Sequence, residues 1–484
     1  SGEHMKTYFI TLLIPIFIGC QPPQASRQDI RFVDISHEPS SSTSDIVLGS
    51  VAKQYQSDGK KLIDVAMSDT AGFLRLGEMC ETFGPRISGS ENLENAIDWI
   101  LSEMEKDGLE NVHGEHVMVP KWVRGNESAQ MIAPWKKDMA MLGLGGSIGT
   151  PPSGITAEVM VVGSFDELTE RANEAKGKIV LFNVPFTNYG KTVQYRSRGA
   201  VAAAEVGALA SIIRSVGPFS MNTPHTGNSH YKDGVEKIPH AAITVEDAAM
   251  IGRMAARGQM VKIKLQMEGH YEDDSPSRNV VAEIKGSVYP DEVIVMGGHI
   301  DSWDVGQGAM DDGGGCVAAW QAVKLMKDLG LRPKRTVRVV LWTNEENGLR
   351  GGNAYRDAHK ASLDNHILAI ESDAGVFKPS GFGFSGTDDA LAILQDIGTL
   401  LTPIESGIIT KGGGGADIGP IMREGVPGMG LRVEGSKYFW YHHTNADTWD
   451  KLDQDEFNRC VATMAVMAYV VADMDERLPR EKTK

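Results

Sequence analysis

Apolar residues recur at helical spacing from Ala71 to Cys80 and again from Ala96 to Met104, which predicts two helices, with Gly108 placed to stop the second. Between about Trp122 and Glu268 the texture shifts to short β-branched runs such as Lys178-Ile179-Val180-Leu181-Phe182, broken by Gly, Pro and Asn turns. A single Ala-rich helix is expected there, around Ala200 to Ile213. After Asn279 the rhythm becomes strand, helix, strand. Val293 to Met296 is an unbroken apolar run; Val317, Trp320, Val323 and Met326 share one helix face closed by Gly330; Thr336 to Trp342 is β-branched again. That is a βαβ crossover, so the expected fold is α/β: a mixed, mostly parallel sheet flanked by helices, with a β-rich segment inserted. A short run from Ile367 to Ile370 and a closing helix around Val461 to Val471 complete it.

On this pattern residues 46–121 and 269–484 form two parts of one domain, interrupted by an insertion over residues 122–268. A chain of 484 residues exceeds what one core commonly serves, in keeping with an insertion. The N-terminus reads as a targeting segment. Lys6 precedes an apolar run from Tyr8 to Ile18, short for a bilayer span but the length of a signal-peptide core. Phe17-Ile18-Gly19-Cys20 resembles a bacterial lipobox, so residues 1–20 are expected to be a leader that leaves Cys20 lipidated, with simple cleavage near Gly19 as the alternative. Ser1 to His4, ahead of Met5, are set aside as a remnant. Residues 21–45, rich in Ser, Pro and Gln, are expected to be a flexible tether. The expected location is the cell envelope, as an exported lipoprotein, or the periplasm or exterior without the lipid.

Composition excludes some partners. Hydrophobic content of 41% and charged content of 23% are ordinary for a globular chain. With 48 basic against 64 acidic residues, the net charge of −16 repels nucleic acid and anionic lipid, leaving membrane association to the lipid anchor. Cys80, Cys316 and Cys460 lie in helical patterns, too few for a disulfide framework, and are expected as buried free thiols.

The chemistry gathers at strand ends. Gly297-Gly298-His299-Ile300-Asp301 through Asp311-Asp312 follows the first strand, Glu345-Glu346 follows the second, and Glu371 and Asp373 follow the third. Open parallel sheets place ligand sites beyond the carboxyl ends of their strands, so these groups share one crevice. Such a concentration of carboxylates costs several kcal/mol unless cations neutralise it. Imidazole and carboxylate without thiolate suit zinc or a similar ion. Tyr441-His442-His443-Thr444-Asn445-Ala446-Asp447 supplies further imidazoles, giving the composition of a two-metal hydrolytic site. Taken singly, Asp311-Asp312 is an ordinary solvated turn, Glu345-Glu346 an ordinary helix start and His442-His443 an ordinary surface pair; the ordered set is not.

GGHIDSWDVGQGAMDDGGG, LWTNEENG, ESDAG and HHTNADT, with Gly84-Pro85-Arg86-Ile87-Ser88-Gly89-Ser90 ahead of them, resemble the co-catalytic di-zinc exopeptidases from about Arg75 to Pro479. The resemblance implies the zinc-exopeptidase fold, with the insertion as a protease-associated domain over the crevice. It implies two zinc ions per chain, one held by His299 and Asp373, the other by Glu346 and His443, with Asp311 bridging both. It also implies Glu345 as the general base acting on a metal-bridging water, His442 beside the reacting carbonyl, and Asp301 behind His299 to orient it. Asp417, after the glycine run from Gly412 to Gly415, flanks the substrate or caps the next helix. A homodimer acting on small peptides with free termini follows, with dipeptidase action first and aminopeptidase or glutamate-type carboxypeptidase action as alternatives. A non-catalytic receptor on the same fold, or a one-metal glutaminyl-cyclase chemistry, would require lost ligands.

Overall fold

The computed structural model describes residues 48–481, so the expected leader, lipobox and tether lie outside the described residues. Two mixed β-sheets flanked by helices make up the architecture. The first sheet has the strand order Glu110–Val123, His270–Ile284, Arg335–Trp342, Tyr289–His299, His366–Glu371, Gly428–Val433, Pro379–Ser385, Ile408–Lys411. From Arg335–Trp342 to Gly428–Val433 neighbours are parallel, with Met296 opposite both Val339 and Ile370. Strands Glu110–Val123, His270–Ile284 and Pro379–Ser385 join antiparallel.

Val293, Ile294, Val295 and Met296 are all buried, because the strand is covered on both faces; hence the unbroken apolar run in place of alternation. Helix Gly314–Asp328 is the crossover, burying Val317, Trp320, Val323 and Met326. Helix Gln454–Asp473 is buried continuously from Cys460 to Ala472, packed against helices Ser50–Met67 and Gly314–Asp328, as a largely apolar stretch requires. Cys80, Cys316 and Cys460 are free and buried. Helix Glu91–Lys106 is capped by Ser90, whose Oγ accepts from Leu93 N at 3.2 Å, and Gly108 takes a left-handed φ of +70° behind it.

The second sheet has the order Lys137–Met139, Glu127–Ala133, Lys262–Met267, Ile155–Val162, Ile179–Phe182, Ala210–Arg214, His240–Ile243, Met141–Gly143. The chain enters and leaves it through Glu110–Val123 and His270–Ile284, which pair with each other. Its strands from Ile155–Val162 to His240–Ile243 run parallel, flanked by helices Tyr189–Glu205 and Val245–Ala256. The expected single helix over Ala200 to Ile213 is therefore corrected. The helix is Tyr189–Glu205, the chain reverses at Gly207 with φ of +79°, and Ala210–Arg214 is a strand. Helix and strand abut too closely for one periodicity window to separate them. Helix Ser50–Met67 also goes beyond the expected helical opening. Among the described residues no helix is long and apolar enough to cross a membrane.

Candidate metal centre

The parallel strands end at one edge of the first sheet and bring remote residues together. His299 closes strand Tyr289–His299; Glu345 and Glu346 follow Arg335–Trp342 after a turn at Asn344, whose φ is +65°. Asp373 follows His366–Glu371, and Asp311 lies in the segment Ala309–Gly313 ahead of the crossover helix. His442 and His443 come directly after the single turn Tyr438–Tyr441.

His299 Nε2 stands 3.2 Å from Asp311 Oδ1, 3.4 Å from Asp373 Oδ1 and 4.0 Å from Glu345 Oε2. His443 Nε2 stands 3.0 Å from Glu346 Oε2 and 3.3 Å from Asp311 Oδ2. Asp311 thus turns one oxygen to each imidazole. Two donor sets among the described residues are close enough for an ion, His299–Asp311–Asp373 and Asp311–His442–His443. His442 Nε2 lies 3.6 Å from Asp311 Oδ2 and its ring stacks on His443 with centroids 3.5 Å apart. It has one carboxylate neighbour where His443 has two.

The electrostatics of the cluster favour positive charge among its carboxylates. Burial pushes the Glu345, Glu346 and Asp373 carboxyls above the usual range; the facing histidines pull them down, and the neighbouring carboxylates add to the rise. Burial pushes His299 and His443 the other way, but their carboxylate partners outweigh it, holding His299 well above its ordinary value and His443 at about 9. Asp311, despite burial, is held well below its ordinary value by His299 and His443. Protons on two imidazoles therefore balance the cluster. A divalent cation does the same and displaces them, because a ligating imidazole is neutral. Asp311 Oδ2, outside hydrogen-bond geometry to His443, and Glu346 Oε1 are buried without a hydrogen-bond partner, as atoms awaiting an ion would be. The residues fit a metal centre. Burial and the neighbouring His443 together keep His442 well below its ordinary value, hence neutral.

Asp301 faces His299 with its main chain. His299 Nδ1 lies 2.8 Å from the Asp301 main-chain carbonyl, whereas the Asp301 carboxylate is 3.8 Å away. That carboxylate instead accepts from Glu345 N at 3.0 Å and Glu346 N at 3.3 Å, fixing the glutamate turn. Asp301 orients His299 through its backbone and the two glutamates through its side chain. Asp312 is buried and structural, accepting from His299 N and Gly315 N at 3.1 Å each.

Three positioning groups were not assigned from the sequence. Asp447 accepts from Ala309 N, Met310 N and Asp311 N at 3.1, 2.7 and 3.2 Å, tying the histidine segment to the bridging aspartate. Arg86, from the quoted GPRISGS motif, is buried and donates to the carbonyls of Ile300, Gln307 and Gly308. Asp447→Ala strands three buried amides, each costing about 1–3 kcal/mol, so an unfolding titration should show a loss of about 3 kcal/mol or more together with weakened metal uptake. The third is Arg196 of helix Tyr189–Glu205. Its Nη1 lies 3.3 Å from His443 Nδ1, its Nη2 donates to Tyr189 Oη at 2.8 Å, and its Nε is buried without a partner. Asp447 stood in the quoted HHTNADT motif without a role. Arg196 carried no signal, since nothing local links it to the ligands.

A cavity of about 460 Å³ opens over the cluster, lined by Glu345, Asp373, His442 and His443 together with Tyr189, Arg196, Tyr438 and Phe439. Asp417 neither lines it nor caps helix Gly419–Arg423, whose N-cap is Ile418. Both Asp417 carboxylate oxygens are buried without partners, and Ile418 N donates at 2.8 Å to Glu371 Oε2 instead.

Residues 279–468 match the family model described as peptidase family M28. Carboxypeptidase Q of Mus musculus is 53% identical over 429 residues, covering 88% of this chain and 91% of that protein. The Homo sapiens protein of the same name is 52% identical over 424 residues, 87% and 90% of the respective chains. Among solved structures, a peptidase M28 precursor from Shewanella amazonensis SB2B superposes with a TM-score of 0.86 at 36% identity, covering 90% of this chain and 100% of that one. A zinc aminopeptidase from Bacillus subtilis shares the fold, with a TM-score of 0.64 at 20% identity over 84% and 98% of the two chains.

Proposed function

The chain belongs to peptidase family M28 and is a metallopeptidase, and from that premise we propose a di-zinc exopeptidase that hydrolyses small peptides, acting as a dipeptidase. The observation that carries the two-ion reading is Asp311, whose Oδ1 faces His299 Nε2 at 3.2 Å and whose Oδ2 faces His443 Nε2 at 3.3 Å. His299 and Asp373 would hold one ion, Glu346 and His443 the other, with Asp311 between them. When bound, the ions supply Lewis acidity toward the scissile carbonyl and toward water.

The chain's own groups do the rest. Glu345 lines the cavity beside the ligands, and Asp301 holds its main chain. Its carboxylate takes a proton from the attacking water and delivers it to the leaving amine nitrogen. His442, neutral and lining the same cavity, donates a ring N–H toward the carbonyl oxygen as charge develops there. The second sheet, read as a protease-associated domain, contributes Tyr189 and Arg196 to the cavity wall through its flanking helix Tyr189–Glu205.

Arg196 supports a substrate with a free carboxyl end. A buried guanidinium in a cavity otherwise dominated by carboxylates is matched by a carboxylate that arrives with the substrate. Arg196→Ala should raise KM for free dipeptides by about 10- to 100-fold, the loss of one charge-assisted contact, and change KM for C-terminally amidated peptides far less. A kinetic panel of dipeptides, longer peptides and peptides blocked at either end tests the whole reading. Free dipeptides cut fastest support dipeptidase action. Tolerance of a blocked C-terminus points to an aminopeptidase, tolerance of a blocked N-terminus to a carboxypeptidase, and equal cleavage of all overturns exopeptidase action.

A further inference from the structure

We infer that Thr226-Gly227, where the inserted segment meets His443, is a positioning element for His443, so that the metal position built on His443 and Glu346 is completed by the insertion. The inference rests on the two-ion reading above. Thr226 holds His443 at two points. Its N donates to the His443 carbonyl at 2.9 Å, and its carbonyl oxygen lies 3.3 Å from His443 Nδ1. A ligating histidine is ordinarily aimed by a carbonyl or carboxylate at its other ring nitrogen. For His299 that carbonyl is Asp301, on the adjoining loop of the first sheet; for His443 it is Thr226, from the inserted segment.

His443 needs such a hold. Its φ of +59° is a left-handed backbone that a histidine seldom adopts without support. Gly227, with φ of +130°, passes so close that a Cβ there would stand 2.7 Å from His443 Nδ1 and overlap the Arg196 guanidinium. A side chain at 227 would therefore displace the ring. The clamp is anchored in turn. Thr226 Oγ1 donates to the Gly143 carbonyl at 3.0 Å and accepts from Arg124 Nη2 at 3.3 Å. Arg124 also grips Asp304, on the His299 loop, through bonds of 2.7 and 2.6 Å. One arginine thus ties the clamp to the loop carrying the other histidine ligand.

The test is a Co2+ titration of metal-free protein against a competing chelator, following the ligand-field spectrum, with far-UV circular dichroism to confirm folding. Thr226→Val keeps both main-chain contacts with His443 but cuts their tie to Gly143 and Arg124, and should weaken the second Co2+ equivalent about 10-fold, the low end of what loss of an outer partner costs, leaving the first unchanged. Gly227→Ala should take up about one equivalent and lose one of the two spectral components. Gly234→Ala is the control for positive-φ strain in the same region, since Gly234 has φ of +80° with open space around it, and should bind as wild type. Two equivalents at wild-type affinity in folded Thr226→Val and Gly227→Ala overturn the inference. Should Gly227→Ala not fold, Thr226→Val decides alone. A wild type that takes up a single equivalent overturns the two-ion reading, and this inference with it.

Discussion

Glu345→Gln should lower kcat by about 10²- to 10⁴-fold, the usual contribution of a positioned general base, while bound metal and KM stay close to wild type. The expectation follows from two adjacent carboxylates with different surroundings. Glu346 Oε2 sits 3.0 Å from His443 Nε2, within the ligand cluster. Glu345 approaches His299 Nε2 no closer than 4.0 Å, and its side chain keeps 21% exposure, facing the cavity. One carboxylate is engaged and its neighbour is free to move a proton. The Asp301 carboxylate accepts from both main-chain amides, so an amide side chain at 345 is held in the same place but cannot accept the proton. The loss corresponds to about 3–5 kcal/mol in the activation barrier. Steady-state kinetics and metal analysis on one preparation check it. Glu346→Gln is the contrast, since it should lose an ion and activity together. If Glu345→Gln keeps activity within about tenfold, the base lies elsewhere; if it loses an ion, Glu345 is a ligand.

Much of this site was legible in the sequence because parallel-sheet topology makes strand ends meaningful. His299, Glu346 and Asp373 stand behind separate apolar runs, and adjacency of those strands brings them within reach of one another. The order of the motifs already carried the resemblance to di-zinc exopeptidases, carboxypeptidase Q among them. Two residues brought in with the resemblance make contacts that the motifs do not specify. Asp301 looks like a carboxylate behind an imidazole, yet the chain folds so that its carbonyl takes that place and the carboxylate reaches the next loop. Asp417 has the right residue type before a helix, but its side chain is buried away from the helix amides. A cap depends on a torsion that sequence does not specify. Arg196 and Thr226 were invisible for another reason. Their roles exist only after the second sheet packs against His443, and no periodicity reports a contact between segments separated by more than 200 residues.

Chelation should abolish activity and lower the unfolding temperature by several degrees, and the interval between metal-loaded and metal-free protein should widen as pH rises from about 6.5 to about 9. An ion that binds the folded cluster and not the unfolded chain adds about 4 kcal/mol when present at a thousand times its dissociation constant. The pH dependence comes from what replaces it. In metal-free protein the His443 imidazole is raised from 6.5 to about 9, and His299 is raised well above its ordinary value, by the carboxylates they face. A group whose folded value is raised contributes stability that is fully present below its unfolded value and is lost as pH climbs through the folded value. Metal-free protein should therefore weaken steadily between about 6.5 and 9. Glu345, Glu346 and Asp373, raised chiefly by burial, act with the same sign. Metal-loaded protein behaves oppositely, because fewer protons compete with the ions for His299 and His443. Asp311→Asn supplies the control. It removes a negative charge that faces both imidazoles, so activity should fall below detection and the unfolding temperature should cease to respond to metal or chelator at any pH. Differential scanning fluorimetry with and without chelator across this range, on wild type and Asp311→Asn, decides the matter. A constant interval, or one that narrows with pH, would mean that protons on His299 and His443 are not what the ions displace.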